Sequence, residues 1–194
     1  MSGWDLTGAG LAGYLIGSLS PATMLARRRG LDLAAMGSGN PGATNAGRVL
    51  GRRVGVLVGL LDVAKGAVPA ACFGLLQHEA GLLAGFAAVV GHVTSPYLRG
   101  RGGRGVATTA GAVLGSQPWL SLVLVAVWVA VVAASRRVAP ASVVAAVMLP
   151  VGAALLGARG WTLVWAVGLA LVVLVRHWPN LRDWAGTHRT GRGR

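Results

Sequence analysis

Residues 54–76 read VGVLVGLLDVAKGAVPAACFGLL and carry only two charged side chains, Asp62 and Lys65. A helix of that length in water needs a polar face, and this stretch has none, so hydrocarbon is its natural surrounding. The signature recurs at about 4–26, 80–97, 142–157 and 161–175, and the basic residues fall in short clusters between apolar runs. Charged residues make up 12% of the chain against 54% hydrophobic, too few to wet a soluble domain of 194 residues. The 31 glycines fit the same reading, because small residues let transmembrane helices approach closely. The predicted fold class is an all-α integral membrane protein, with one membrane-embedded domain spanning 1–194.

The stretch 106–134 sets the count of segments. It is long for one helix at about 1.5 Å per residue and too short for two full spans of about 20 residues. A turn at Ser116-Gln117-Pro118 would divide it into a short segment, 106–115, and a longer one, 119–134. Seven segments result, and all basic residues except Lys65 and Arg159 then share one side. The positive-inside rule makes that side cytoplasmic, with the N-terminus outside and the C-terminus inside. The first segment is preceded by Asp5 and no basic residue, so it reads as a retained span in a multi-pass plasma-membrane protein. The net charge of +13 therefore marks topology, and nucleic acid is not an expected partner. Cys72 stands alone, which leaves no internal disulfide.

Three polar stretches fall on the basic side. In GSGNPGATN, residues 37–45, Gly37, Gly39 and Gly42 let backbone N–H groups curl into a concavity. Ser38, Asn40, Thr44 and Asn45 add side-chain donors, and Arg48 follows at the start of a helix. Such a loop suits an anion, phosphate in particular; the plainer reading is a flexible connection with Asn-Pro-Gly turn chemistry. The second stretch, RGRGGRGVATTAG, interleaves Arg99, Arg101 and Arg104 with glycines that include Gly102 and Gly103, and leads into a helix bearing Thr108 and Thr109. It reads as a further anion site or as a topological cluster, although topology does not account for its glycines. In the third, RHWPNLRDWAGTH, Pro179 is expected to stop the last helix, with His177 and Asn180 beside it. His177 has three readings: general base, phosphate donor or interfacial residue. Trp178 and Trp184 suit an aromatic belt.

Within the spans, Asp62 and Lys65 lie three residues apart on one helical face, placed to neutralise each other or to let Lys65 reach the polar face. His92 suits packing or the site equally. No Walker-type loop, GxSxG elbow or HxxxxD box is present; Leu83, Tyr97, Arg182 and Gly193 stand five residues after the four histidines. The five dispersed acidic residues offer no magnesium or zinc site, so neither metal nor cofactor is expected.

GSGNPGATNAGR, DVAKGAVPA, GHVTSPYLRGRGGRGVATTAG, PASV and RHWPN occur in the order found in bacterial acyl-phosphate:glycerol-3-phosphate acyltransferases. From about Gly17 to His188 the chain resembles this PlsY family. The resemblance implies a membrane enzyme of phospholipid synthesis with a cytoplasmic active site. It would move an acyl chain from fatty acyl phosphate to the 1-hydroxyl of glycerol 3-phosphate, giving lysophosphatidic acid and phosphate. Its partners would be these two substrates, membrane lipid and an enzyme that supplies acyl phosphate. Carried over by position, the catalytic set is Ser38, Arg48, Arg104, Ser142, His177 and Asn180. The loop backbone about Gly37–Thr44 would hold the acyl phosphate, and Arg48, Arg104 and Asn180 the glycerol 3-phosphate. Gly37, Gly39, Asn40, Gly42, Thr44, Asn45, Lys65, His92, Arg101, Gly102, Gly103 and Thr108 complete the expected binding set. The base would be His177 or a substrate phosphate.

The chain departs from the family pattern in places. Arg101 and Arg104 stand where lysine is usual, and a forked guanidinium binds phosphate differently from an ammonium. Ala34 replaces an arginine, and His177-Trp178 replaces a His-Arg pair, with Arg176 on the other side of the histidine. The closing glutamate is replaced near His188, with a one-residue deletion before Gly186. A multi-pass anion or solute transporter is the alternative, since it too would use buried charges and broken segments. No paired halves are visible in the sequence to support it.

Overall fold

The computed structural model describes the backbone of residues 3–190 and the side chains of residues 6–179. Nine α-helices follow one another among the described residues: α1 (Gly3–Ser18), α2 (Pro21–Arg27), α3 (Ala43–Leu50), α4 (Arg52–Gly74), α5 (His78–Thr94), α6 (Val106–Ser116), α7 (Pro118–Ser135), α8 (Val138–Leu155) and α9 (Gly160–Thr190). Six stretches among them are long and apolar enough to cross a membrane: Leu6–Arg27, Arg52–Gly74, His78–Leu98, Pro118–Ser135, Val138–Leu155 and Gly160–Pro179. Helix α6 is the short segment expected from the sequence. Its 11 residues span about 16 Å, roughly half of a hydrocarbon layer. It ends at the Gln117-Pro118 turn, and α4, α5 and α7 pack around it.

Glycines set the closest helix contacts. A Cβ at Gly66 would strike the Thr108 carbonyl of α6, and one at Gly111 would strike the Val63 carbonyl of α4. Gly13 and Gly17 of α1 meet Ala84 and Ala88 of α5 in the same way. Backbones can touch only where side chains are missing, and in lipid that close packing is a main source of helix association. A deeper cluster of Leu82, Val89, Val113, Leu120, Leu149, Trp165 and Leu169 joins α5 to α9. A second cluster of Ala22, Ala26, Leu33, Ala46 and Val58 fixes α3 and the preceding loop against α2 and α4.

The first span is broken at Leu19-Ser20. Ser20 caps α2 by accepting from the Thr23 N–H at 3.3 Å, and Pro21 takes the first helical position. The break strands carbonyls that a continuous helix would have satisfied. Ser95 Oγ donates to the Ser18 carbonyl at 2.6 Å, and Lys65 Nζ donates to the Leu19 carbonyl at 2.7 Å. The same Nζ lies 3.0 Å from Asp62 Oδ1.

The expected stop at Pro179 is not observed, because α9 runs through it to Thr190. Proline deletes one N–H and crowds one carbonyl, but helical turns on both sides carry the chain past it. Pro69 in α4 and Pro150 in α8 are accommodated in the same way. Pro140 sits in the first turn of α8, whereas Arg48, expected at the start of a helix, sits in the last turn of α3 because that helix already begins at Ala43.

Candidate active site

The loop before α3 is built around one buried amide. Asn45 Oδ1 accepts from the Ser38 N–H at 2.8 Å, and its Nδ2 donates to the Met36 carbonyl at 3.0 Å. Gly37 makes this possible, since its φ is 61° and a Cβ there would strike Asn45 Oδ1. The Gly39 N–H donates to the Met36 carbonyl at 3.0 Å and the Gly42 N–H to the Asn40 carbonyl at 2.9 Å. Much of the expected backbone cradle is thus spent inside the loop. The donors that remain include the first-turn N–H groups of α3, where Gly42 offers no side-chain cap, and the side chains of Ser38, Asn40, Thr44 and Arg48. Arg29 Nη1 donates to the Leu50 carbonyl at 3.0 Å and so closes the other end of α3.

The second stretch lies flat against the end of α5. A Cβ on Gly102 would strike the His92 carbonyl, and one on Gly103 would strike His92 Nε2. The Gly103 N–H donates to the His92 carbonyl at 3.0 Å. His92 Nδ1 in turn lies 3.6 Å from Asp62 Oδ1. Arg104 follows directly, half-buried, and Gly105 at φ 84° starts α6. Burial, and then the neighbouring Arg176, pull the Arg104 pKa below its ordinary value, yet a guanidinium keeps its proton. Among the described residues no carboxylate pairs with Arg48 or Arg104. Both charges are therefore available to an anion.

His177 reaches the same region from α9. Its Nδ1 lies 2.8 Å from the Val173 carbonyl, and the ring is buried. A carbonyl only accepts, so Nδ1 carries the proton and Nε2 of the neutral ring is left as an acceptor. One residue earlier, Arg176 turns the other way. Its Nη2 donates to the Gly102 carbonyl at 2.7 Å and its Nε to the Gly103 carbonyl at 3.2 Å. Ser142 is buried on α8, donates to the Val138 carbonyl at 2.9 Å and accepts from Trp128 Nε1 at 3.2 Å. Its only proton is committed, so it stitches α7 to α8 and presents a lone pair.

These side chains line one cavity of about 670 Å³. Ser38, Asn40, Gly42, Thr44, Asn45, Arg48, His92, Arg104, Ser142 and His177 all border it. Its apolar part follows from helical period. Val113, Leu149 and Ala170 also line it, seven residues from Val106, Ser142 and His177. Seven residues are about two turns, so each pair shares a face and the trough continues about 10 Å past the polar end. Val56 and Leu60 of α4 and Val125 of α7 line the cavity and are exposed as well, which opens it sideways towards lipid. A charged head and an apolar tail could occupy it together.

Several expected residues lie elsewhere. Lys65 is held by Asp62 and the Leu19 carbonyl and does not border the cavity. Thr108 is fully buried at the α4–α6 contact. Gly37 and Gly39 shape the first loop from behind, Gly102 and Gly103 back onto His92, and Arg101 is exposed outside the lining. The side chain of Asn180 lies outside the described residues. Two residues absent from the expected set enter the picture, Trp128 and Arg176. Their only signal in the sequence is an indole in the middle of one span and a guanidinium near the end of another. Among the described residues no three His, Cys, Asp or Glu side chains converge as metal ligands do.

A family model described as glycerol-3-phosphate acyltransferase matches residues 8–186. The glycerol-3-phosphate acyltransferase of Geotalea daltonii is 38% identical over 174 residues, 89% of this chain and 90% of that one. That of Aromatoleum aromaticum is 43% identical over 177 residues, 89% of each chain. The fold is also similar to crystal structures of PlsY (YgiH), an integral membrane glycerol 3-phosphate acyltransferase. For its glycerol 3-phosphate form the TM-score is 0.89 at 31% identity, over 94% of this chain and 92% of that one. For its lysophosphatidic acid form the TM-score is 0.87 at 30% identity, with the same coverage.

Proposed function

The chain belongs to the glycerol-3-phosphate acyltransferase family, and on that premise we propose that fatty acyl phosphate is its donor and lysophosphatidic acid and phosphate its products. The observation that carries this reading is the cavity that joins phosphate-type donors from the first two polar stretches, and the His177 acceptor from the third, to an apolar trough open to lipid. Both substrates bear phosphate, and one bears a long chain. In this reading the acyl phosphate lies with its phosphate at the α3 N-terminus and Ser38, and its chain beside Val113 and Leu149. Glycerol 3-phosphate lies with its phosphate on Arg48 and Arg104, beside the last helix.

The reaction needs no protein nucleophile, because the carbonyl is already activated. The 1-hydroxyl oxygen attacks the acyl carbon, the bond from that carbon to the bridging phosphate oxygen breaks, and phosphate leaves with the electron pair. The hydroxyl proton ends on a phosphate oxygen, so the products balance as ester and hydrogen phosphate. His177 Nε2, as an acceptor, orients the hydroxyl for attack. Holding two anions in register and stabilising the developing oxyanion supply the rate enhancement. The membrane topology goes with this reading: one acyltransferase domain over 1–194, N-terminus outside, and the site at the cytoplasmic face of a bacterial inner membrane.

The test is phosphate release from palmitoyl phosphate by purified protein in detergent or lipid, without coenzyme A. Release that requires glycerol 3-phosphate, with lysophosphatidic acid formed in equal amount, supports the reading. Acylation that proceeds only from an acyl thioester overturns the donor, and solute flux without turnover favours a transporter.

A further inference from the structure

Gly102 and Gly103 form the hinge from which Arg104 projects, and two consecutive glycines are the most mobile backbone a loop can have. Left alone, they would let the guanidinium sample many positions, and the ordering cost would fall on ligand binding. The fold holds this hinge from two sides. The Gly103 N–H is tied to the His92 carbonyl at 3.0 Å, and both glycine carbonyls are gripped by one guanidinium, Arg176 Nη2 at 2.7 Å and Nε at 3.2 Å. The next residue, His177, points into the cavity, whereas Arg176 does not border it.

We propose that Arg176 is a positioning residue for the acceptor substrate: its forked grip on the Gly102 and Gly103 carbonyls fixes the direction of Arg104 and links the α9 that carries His177 to the loop that carries the phosphate-binding charge. A lysine cannot reproduce the grip, because a single ammonium lacks the planar fork that meets two carbonyls at once. The glycines are explained in the same step. Neither has room for a Cβ beside His92, so this short connection depends on Arg176 for the rigidity that side chains would otherwise give. The inference rests on the reading above in which Arg104 holds the phosphate of glycerol 3-phosphate.

The experiment is a double-variant cycle in the full-length purified enzyme, with palmitoyl phosphate as donor and glycerol 3-phosphate varied. Arg176→Gln is expected to raise the KM for glycerol 3-phosphate about tenfold, the scale of one charge-assisted hydrogen bond, with kcat little changed. Arg176→Lys should fall between it and wild type. The deciding readout is Arg104→Gln/Arg176→Gln: if Arg176 acts through Arg104, the double variant is no worse than Arg104→Gln alone. Losses that multiply, or an unchanged KM in folded Arg176→Gln, overturn the proposal. Should Arg176→Gln fail to fold, the same cycle run with Arg176→Lys decides. An unchanged KM in Arg104→Gln overturns the placement of the phosphate on Arg104, and the inference with it.

Discussion

Lys65 offers the sharpest test of how this chain survives a broken helix in lipid. Its ammonium satisfies the stranded Leu19 carbonyl at 2.7 Å and neutralises Asp62 at 3.0 Å, and both side chains are buried, at 7% and 3% exposure. Lys65→Met keeps the aliphatic stem and removes the charge. It leaves a buried carboxylate without its partner, which costs about 3–5 kcal/mol, and a carbonyl without a donor, which costs about 1–3 kcal/mol more. At roughly 2–4 °C per kcal/mol for a chain of this size, the melting temperature in detergent should fall by about 10 °C or more. Asp62→Asn/Lys65→Met removes the charge problem and leaves only the orphan carbonyl, so it should recover more than half of the loss. The assay is thermal unfolding followed by intrinsic tryptophan fluorescence, with size-exclusion recovery as a check. If Lys65→Met melts with wild type, or the double variant melts as low as the single one, the ion pair is not what holds the break.

Three further outcomes follow from the cavity. Arg104→Ala should weaken use of glycerol 3-phosphate by about tenfold or more in a protein that still folds and inserts; wild-type kinetics would remove Arg104 from the site. Ser38→Ala should impair turnover, whereas full activity would leave the backbone N–H groups of the loop and the α3 N-terminus as the only holders of the acyl phosphate. Leu149→Trp, two turns beyond Ser142 in the trough, should shift preference towards shorter acyl phosphates while the KM for glycerol 3-phosphate stays put. A chain-length profile that matches wild type would place the tail elsewhere.

Patterns that depend on the solvent are legible in the amino-acid sequence itself. Apolar runs mark the long helices, the Ser116-Gln117-Pro118 turn marks the end of α6, and the arginine clusters group the polar stretches that border one cavity. What local rules misjudge is how polar groups are spent. Asn45 carries the donors expected of a phosphate ligand, but its amide is consumed holding Ser38 and Met36, an arrangement that depends on the left-handed backbone of Gly37. Lys65 has the length to reach the polar face, but the break at Leu19-Ser20 creates a nearer acceptor after α1 that sequence spacing does not reveal. Pro179 does not end α9, since helical turns continue on either side of it and carry the chain past the missing N–H.

Arg176 shows the same difficulty at its smallest scale. Beside a histidine, it looks displaced from the His-Arg order that the family resemblance implies, as though a charge had moved to the wrong position. Neighbours in a helix point about 100° apart, and here His177 borders the cavity while Arg176 does not. It can, however, reach the loop that flanks α9, and there its fork meets the Gly102 and Gly103 carbonyls together. Adjacent polar residues on one helix thus do different work: His177 faces the cavity and Arg176 fixes the connection from which Arg104 enters it. A motif read as a string treats them as a pair, and helical geometry separates them.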